Sequence, residues 1–312
     1  MLSNLEKASS LFETYFNCSK DEICFGSYIM KDKNCPYKVI LGGANLIGLQ
    51  SAENLKYVYG NVNFINTSIK ELPQLFFVAG YANFANCKGV NIPKLKQIKR
   101  SANFRNCENI KLSALEEING NVSFENAKMI QMDKLSKIKG EANFGGAYLM
   151  DLSSLKIIEG DANFKNSEIE SLSGLTIIKG DAIFSYSRVG NLDNLMEIQG
   201  NAVFTGSQIS SLKNLSKVGR SAVFTRSEIV NLQNLEVVNK NLFLQKSRVY
   251  KLGKLKKADK VTIEKSRVGL LKNMKDLNTL VLIGFWGNCK ELSKEDCISR
   301  GYIQQDLMMK KT

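Results

Sequence analysis

Residues 155–174 read LKIIEGDANFKNSEIESLSG, and this 20-residue pattern recurs ten times without a gap between residues 55 and 254. The shared pattern is L-x-x-I-x-G-x-A-x-F-x-x-S-x-I-x-x-L-x-x. Self-similarity at a short fixed period is typical of solenoids, in which each repeat stacks on the next and buries a continuous core. The repeat therefore predicts one stacked array, although 312 residues would otherwise suggest two or three domains.

The stretch G-x-A-x-F alternates with a period of two, which places Ala and Phe on one face of a strand and their neighbours on the other. The Phe position holds phenylalanine in nine repeats, from Phe64 to Phe224, and then Leu244. We expect these rings to stack as a ladder inside the coils. A stripe at one fixed buried phase indicates core and not a ligand pocket.

After Phe the apolar spacing changes to steps of two and three, which leave no room for a long helix and predict turns, 3₁₀ pieces or short extended segments. The Ser position is always small, and its hydroxyl or thiol is placed to bond to backbone groups where the chain leaves the strand. The glycine position indicates a tight turn or positive φ. Arg100, Arg220 and Lys240 occupy the same position, so positive φ is not strictly required.

The pattern A-x-F-x-x-S-x-I-x-x-L-x-x-L resembles the leucine-rich-repeat family, with Ser, Thr, Cys or Ala at the family's asparagine position. The period is similar to the shortest repeats of that family, found in bacterial proteins, and I-x-G-x-A-x-F resembles receptor L-domain repeats. The resemblance covers about residues 36–284. It implies a curved array with strands on the concave side and a protein partner there. A closed parallel β-helix is the alternative architecture.

Both ends of the array read as caps. Apolar residues at helical spacing predict an N-terminal helical cap within residues 1–35. The solenoid spans 36–284, with a degenerate first repeat at 36–54, a 19-residue repeat at 255–273 and a last strand around 280–282. A capping-box pattern at Ser293–Asp296 predicts a helix in a C-terminal helical cap, residues 285–312.

The residue between Ala and Phe changes character along the array. Asparagine dominates this position up to Asn163, whereas Ile183, Val203, Val223 and Phe243 are apolar. Exposed apolar patches of this kind mark interaction sites, so we predict a partner-binding surface here. Two structural explanations stay open: β-branched residues favour strands, or a C-terminal segment folds over the column.

We assign four polar neighbours to the same candidate surface: Asn143, Asn163, Asp161 and Asp181. Stacked asparagines either bond to one another along the rungs or recognise carbohydrate. Carboxylates on neighbouring rungs, Glu141 among them, would lie about 4.8 Å apart. That spacing is near the ~5 Å of a retaining glycosidase pair, which keeps a polysaccharide-active enzyme and a calcium site as alternatives.

Positive charge is concentrated near the C-terminus of the array. The chain carries a net charge of +13, and residues 246–275 hold eleven Lys and Arg against Asp259 and Glu264. Five lysines of this segment form a candidate patch for an anionic partner: Lys251, Lys254, Lys256, Lys257 and Lys260. The segment has only Tyr250 as an aromatic residue and no nucleic-acid-binding motif, so nucleic acid is not the expected partner.

The composition narrows the chemistry. The chain has no histidine, which excludes every triad or metal site that needs imidazole. Seven cysteines show no zinc spacing, so buried free thiols or cap disulfides are the options. We expect no cofactor and no metal. No apolar run reaches the ~18 residues of a membrane span, and the N-terminus lacks a Sec-type signal, so we expect a cytoplasmic protein or one exported by another route.

The sequence thus favours a leucine-rich-repeat-like solenoid that acts as a non-enzymatic protein-binding or scaffold module. A surface or secreted glycan-binding module is the first alternative, and a polysaccharide-active β-helix enzyme is the second.

Overall fold

The computed structural model describes residues 13–29, 34–209, 211–229, 231–252, 254–264, 271, 274, 276–283 and 289–300. The chain winds as a parallel β-solenoid of about 12 turns with very little helix, as the repeat predicts. It divides into two compact units. The N-terminal unit comprises residues up to Asn143 together with Ala147–Asp151, and the C-terminal unit comprises Phe144–Gly146 and the residues from Leu152 onward.

In the N-terminal unit each coil contributes two short strands to parallel ladders. The first strands are Ile23–Cys24, Val39–Ile40, Tyr57–Val58, Phe77–Val78, Gln97–Ile98, Glu117–Ile118 and Lys137–Ile138. The second strands are Tyr28–Ile29, Ala44–Asn45, Val62–Asn63, Ala82–Asn83, Ala102–Asn103, Val122–Ser123 and Ala142–Asn143. A third ladder consists of isolated parallel bridges such as Lys88↔Glu108, and it ends in the strand Tyr148–Asp151.

The C-terminal unit repeats this arrangement with a better-formed third ladder. The first strands are Ile157–Ile158, Ile177–Ile178, Glu197–Ile198, Lys217–Val218 and Val237–Val238. The second strands are Ala162–Asn163, Ala182–Ile183, Ala202–Val203, Ala222–Val223 and Asn241–Phe243. The third strands are Glu168–Ser171, Arg188–Val189 and Gln208–Ile209. Backbone hydrogen bonds therefore join successive coils at three places around the coil.

The stack closes with longer elements. Strand Lys257–Glu264 pairs in parallel with Asp276–Ile283, which pairs antiparallel with Cys289–Ser293. Helix Lys294–Ser299 follows, and its N-cap Ser293 accepts a hydrogen bond from the Asp296 backbone N–H in a capping box. The capping pattern is thus confirmed. The segment before it, which the sequence assigns to a helical cap, is a strand, because the last parallel strand offers a free edge that the hairpin covers.

At the other end, residues 13–16 are helical and a 3₁₀ turn spans Lys20–Glu22. The rest of the predicted N-terminal helix, residues 2–12, lies outside the described residues, as does the C-terminal segment from residue 301.

The Phe ladder is confirmed as core. All nine rings, from Phe64 to Phe224, are fully buried. In the C-terminal unit consecutive rings from Phe144 to Phe224 stack in parallel with centroids 4.6–5.2 Å apart. Because the strand spacing of about 4.8 Å matches the distance between stacked rings, one phenylalanine from each coil can stack on the next inside the solenoid.

The predicted backbone contact of the Ser position is also confirmed. The Ser167 hydroxyl donates to the Phe164 carbonyl at 2.7 Å, and Ser187 repeats the contact with Phe184 at 2.7 Å. In the N-terminal unit the Cys87 thiol instead reaches back one coil to the Phe64 carbonyl at 3.1 Å. Each group satisfies a buried carbonyl at the point where the chain turns.

Of the two options for the glycine position, a tight turn or positive φ, positive φ does not apply, and glycine is needed there because of a close approach between coils. A Cβ on Gly180 would lie 2.6 Å from the Asp161 backbone nitrogen and 2.6 Å from the Gly160 carbonyl carbon, at an ordinary φ. The backbone of the preceding coil therefore passes where a side chain would begin.

Three coils depart from the repeat on their third side. Gly89, Asn109 and Met129 have φ values of +66°, +55° and +53°, and the buried apolar position shifts one residue onward to Val90, Ile110 and Ile130. This slip turns Met129 outward, where it is 50% exposed. The coils still have 20 residues, so the left-handed residue absorbs the shift within the coil.

Candidate interaction face

The four apolar residues between Ala and Phe form a continuous column on consecutive rungs of the C-terminal unit. The register pairs Ile183 with Val203, Val203 with Val223 and Val223 with Phe243. Ile183 is 37% exposed, and the other three are half-buried. We call these four residues the apolar column. They lie together on the outer side of the second strands, as the sequence predicts.

Beyond Phe243 the same column continues into covered positions. Phe243 pairs with Thr262 and Thr262 with Val281, and the last two are 6% and 9% exposed. Helix Lys294–Ser299 packs against strand Asp276–Ile283 at this end. The C-terminal elements therefore cover the end of the stack, while the apolar column retains solvent access.

The polar residue before Ala has a structural role that explains its composition. The Asp161 carboxylate accepts the backbone N–H of Asp181 at 2.7 Å, and Asp181 in turn accepts the backbone N–H of Asn201 at 2.7 Å. In the N-terminal unit Asn121 does the same for Glu141 at 2.9 Å. Asp, Asn and Ser are interchangeable here because each offers an accepting oxygen within two bonds of Cβ. Asp161 and Asp181 thus bind the next coil.

The asparagine ladder that the sequence suggested is present in the N-terminal unit. Asn83 and Asn103 each donate from Nδ2 to the Oδ1 of the asparagine one coil earlier, at 3.2 Å in both cases. Asn163, in the C-terminal unit, accepts the backbone N–H of Lys165 at 3.0 Å. These amides are largely occupied by the protein itself. Asn163 pairs in register with Ile183, where the apolar column begins.

A second regular position, two residues after Phe, was missed in the sequence reading. It adopts the left-handed conformation in successive coils, with φ between +53° and +66°. The signal was visible, because asparagine and glycine dominate the position and are the residues that tolerate this conformation. Those residues are Asn66, Asn86, Asn106, Asn126, Gly146, Asn166 and Gly206. Tyr186, Arg226 and Lys246 are the exceptions, and all three belong to coils of the apolar column.

The five predicted lysines are distributed over more than one side of the coil. Lys251 bridges Asn231 in the third ladder, whereas Lys257 and Lys260 belong to the strand Lys257–Glu264. Two are already paired: Lys256 with Glu236 at 3.0 Å, and Lys260 with Glu291 at 3.3 Å.

The five lysines differ in exposure, and some of their charge is balanced by carboxylates. Lys251 and Lys254 are exposed. The hydrogen bond from Lys256, with the charges of Lys256 and Lys254, lowers the pKa of Glu236. The set is therefore partly neutralised and does not form one surface.

The buried cysteines are chemically protected. Cys87 and Cys107 lie one coil apart and are free thiols, and the Cys107 thiol donates to the Phe84 carbonyl at 2.9 Å. Burial raises the pKa of Cys107 to about 12. Because the thiolate is the reactive form, these residues act as small core side chains.

No protein-family model, curated protein or solved structure matches the chain. Within the described residues, no group of three or more Cys, Asp or Glu side chains is arranged to hold a metal ion. In the same part of the chain, no helix has the length and hydrophobicity to cross a membrane.

Proposed function

We propose that this protein is a non-enzymatic binding module that holds another protein on the outer side of its second strands. The observation that carries the proposal is the apolar column. Four aliphatic or aromatic side chains remain accessible on consecutive rungs of one ladder, at a position that holds asparagine in most of the earlier coils. Clustered accessible apolar groups are favourable to cover with a partner.

The neighbouring polar groups support binding over chemistry. The carboxylates of Asp161 and Asp181 hold backbone N–H groups of the next coil, and the asparagine ladder bonds within itself. A general acid or base must reach a proton of the substrate, whereas these groups are directed along the stack. The leucine-rich-repeat resemblance points to the same class of function.

The test is affinity capture from the source cells with four forms of the protein. Val203→Asp/Phe243→Asp puts charge on the apolar column. Val203→Asn/Phe243→Asn is milder, because asparagine is native at this position in other coils. Gln208→Asp/Gln233→Asp is the matched control, since it adds the same charge at exposed positions elsewhere on two coils of the apolar column, those of Val203 and Val223.

We expect the wild type and the control to retain one common protein and both column variants to lose it. Truncating a central anchor costs about 2 kcal/mol or more of binding free energy, so the loss should be at least about 30-fold. If the column variants still retain this partner protein and their circular dichroism is unchanged, the proposal is wrong. Recovery of glycan instead of protein would also contradict it.

A further inference from the structure

Exposed cations border the apolar column on both sides. Arg220 and Lys240 lie three residues before Val223 and Phe243, at one corner of the coil. Arg226 and Lys246 lie three residues after them, at the other corner. All four cations are exposed. We call them the basic borders. In the preceding coils the first corner holds Gly180 and Gly200, so the borders belong to the C-terminal half of the column.

The protein neutralises the charge of the borders only in part, and one carboxylate, that of Glu264, accepts the Lys246 backbone N–H. Elsewhere in this unit, cations meet carboxylates one coil away, as Lys217 meets Glu197 at 2.8 Å. By contrast, the side chains of Arg226, Lys240 and Lys246 form no ion pair with any described residue. Arg220 reaches only Asp181, at 3.9 Å. A surface with unbalanced positive charge attracts a partner of opposite sign.

Two of the border residues occupy an unfavourable backbone conformation. Arg226 and Lys246 have φ of +58° and +54°, at the corner where Asn or Gly stands in most coils. For a residue with a Cβ atom, this conformation costs roughly 1–2 kcal/mol of conformational free energy. Strained residues persist mainly where their side chains are used. The strain thus marks this corner independently of its charge.

The spacing of side chains in the apolar column matches a helix in the partner better than an extended strand. Adjacent rungs lie about 4.8 Å apart, so four residues span about 14 Å along the stack. A helix presents apolar residues at i, i+3, i+7 and i+10 over about 15 Å, because it rises 1.5 Å per residue. In an extended strand, side chains on one face are about 6.7 Å apart. This distance does not match the spacing of about 4.8 Å between rungs, so the second contact would already be out of register.

We propose that the partner contributes an acidic amphipathic helix, which lies along the apolar column with carboxylates facing the basic borders. This inference rests on the proposed function and specifies its partner. The apolar stripe of the helix covers Ile183, Val203, Val223 and Phe243. Its flanking Glu or Asp side chains meet Arg220 and Lys240 on one side, and Arg226 and Lys246 on the other.

Synthetic peptides test the inference directly. The probe is a fluorescein-labelled peptide of about 18 residues, long enough for appreciable helix, with leucines at the stated spacing and glutamates on both flanks. A second peptide carries lysines in place of the glutamates, and a third has the first composition in scrambled order. Binding is followed by fluorescence anisotropy at two salt concentrations.

The protein variants separate charge from apolar contact. Arg226→Asn/Lys246→Asn removes one border and restores the residue native to that corner in other coils. Val203→Asn/Phe243→Asn removes the apolar contact. We expect the acidic peptide to bind at least about tenfold more tightly than the lysine peptide. We expect that affinity to fall with salt, and to fall at least about tenfold in either variant.

Equal affinity for the three peptides, or no binding of the acidic one, would overturn the inference. So would anionic vesicles of phosphatidylserine and phosphatidylcholine that bind more tightly than the peptide with the same sensitivity to Arg226→Asn/Lys246→Asn. If the peptides fail while cell-extract capture still depends on Val203 and Phe243, only the helix is refuted. If capture is also independent of these residues, the proposed function fails as well.

Discussion

Replacing Asp181 with alanine should destabilise the coil that follows it, whereas Asp181→Asn should change little. The Asp181 carboxylate accepts the Asn201 backbone N–H at 2.7 Å and also contacts the Asn201 side-chain amide at 3.2 and 3.1 Å. Losing a hydrogen bond to a charged group costs about 1.5–3 kcal/mol. Asn201 is only half-buried, so water can reach the freed N–H, and we expect the lower half of that range for alanine.

Asparagine keeps the accepting oxygen, as Asn121 shows at 2.9 Å in another coil. The Asp181→Asn substitution should therefore destabilise the coil by less than about 1 kcal/mol. The exposed contact between Asp181 and Arg220 adds little to either value. The comparison therefore isolates the backbone contact from the charge.

The assay is amide hydrogen exchange at Asn201, because local opening can be measured there even if the stack does not unfold in two states. The alanine variant should speed exchange at this amide by about 10- to 40-fold, and the asparagine variant by less than about fivefold. Equal effects of the two substitutions would refute the structural role of this carboxylate. So would an Asn201 amide that exchanges as in the wild type in both variants.

Four further outcomes follow from the packing and the titration of buried groups. Phe204→Ala should lower the free energy of unfolding by about 3–5 kcal/mol in urea titrations, since the ring is fully buried. Gly200→Ala should cost about 1–3 kcal/mol or more, because its Cβ would lie 2.6 Å from backbone, whereas Gly26→Ala, with nothing within 4 Å, should stay within about 0.5 kcal/mol. Cys107 should resist a thiol reagent at pH 8.5 until the protein unfolds, because with a pKa of about 12 fewer than about one thiol in a thousand is ionised. Arg226→Asn should raise the urea midpoint, corresponding to about 0.5–1 kcal/mol, by relieving the positive φ at this corner.

The interior could be read from the sequence because it obeys one spacing rule. Ala202 and Phe204 point inward since strand residues alternate, and a 20-residue period sets each ring on the one before. The small residue at Ser207 follows from the same logic. The position of Ile183, Val203 and their neighbours on one exposed column also follows from the period alone.

What the period did not reveal depends on the backbone between coils. Glycine is needed at Gly180 because a Cβ there would lie 2.6 Å from the backbone of the preceding coil, a contact that the sequence of one repeat does not show. The slip at Met129 was missed because its burial pattern differs by one residue from the shared repeat. The basic border of Arg226 and Lys246 is not apparent in the sequence, because these residues are 20 positions apart and become neighbours only when the coils stack.

The central claim, that a partner protein is held on the apolar column, is tested most directly by photocrosslinking in the source cells. Val203 is replaced with p-benzoylphenylalanine, and Gln208, exposed on the third ladder of the same coil, is replaced in parallel as the control. After irradiation, a discrete adduct with another protein should form from position 203 and not from position 208. An absence of adducts at position 203, or the same adducts from both positions, would contradict the account.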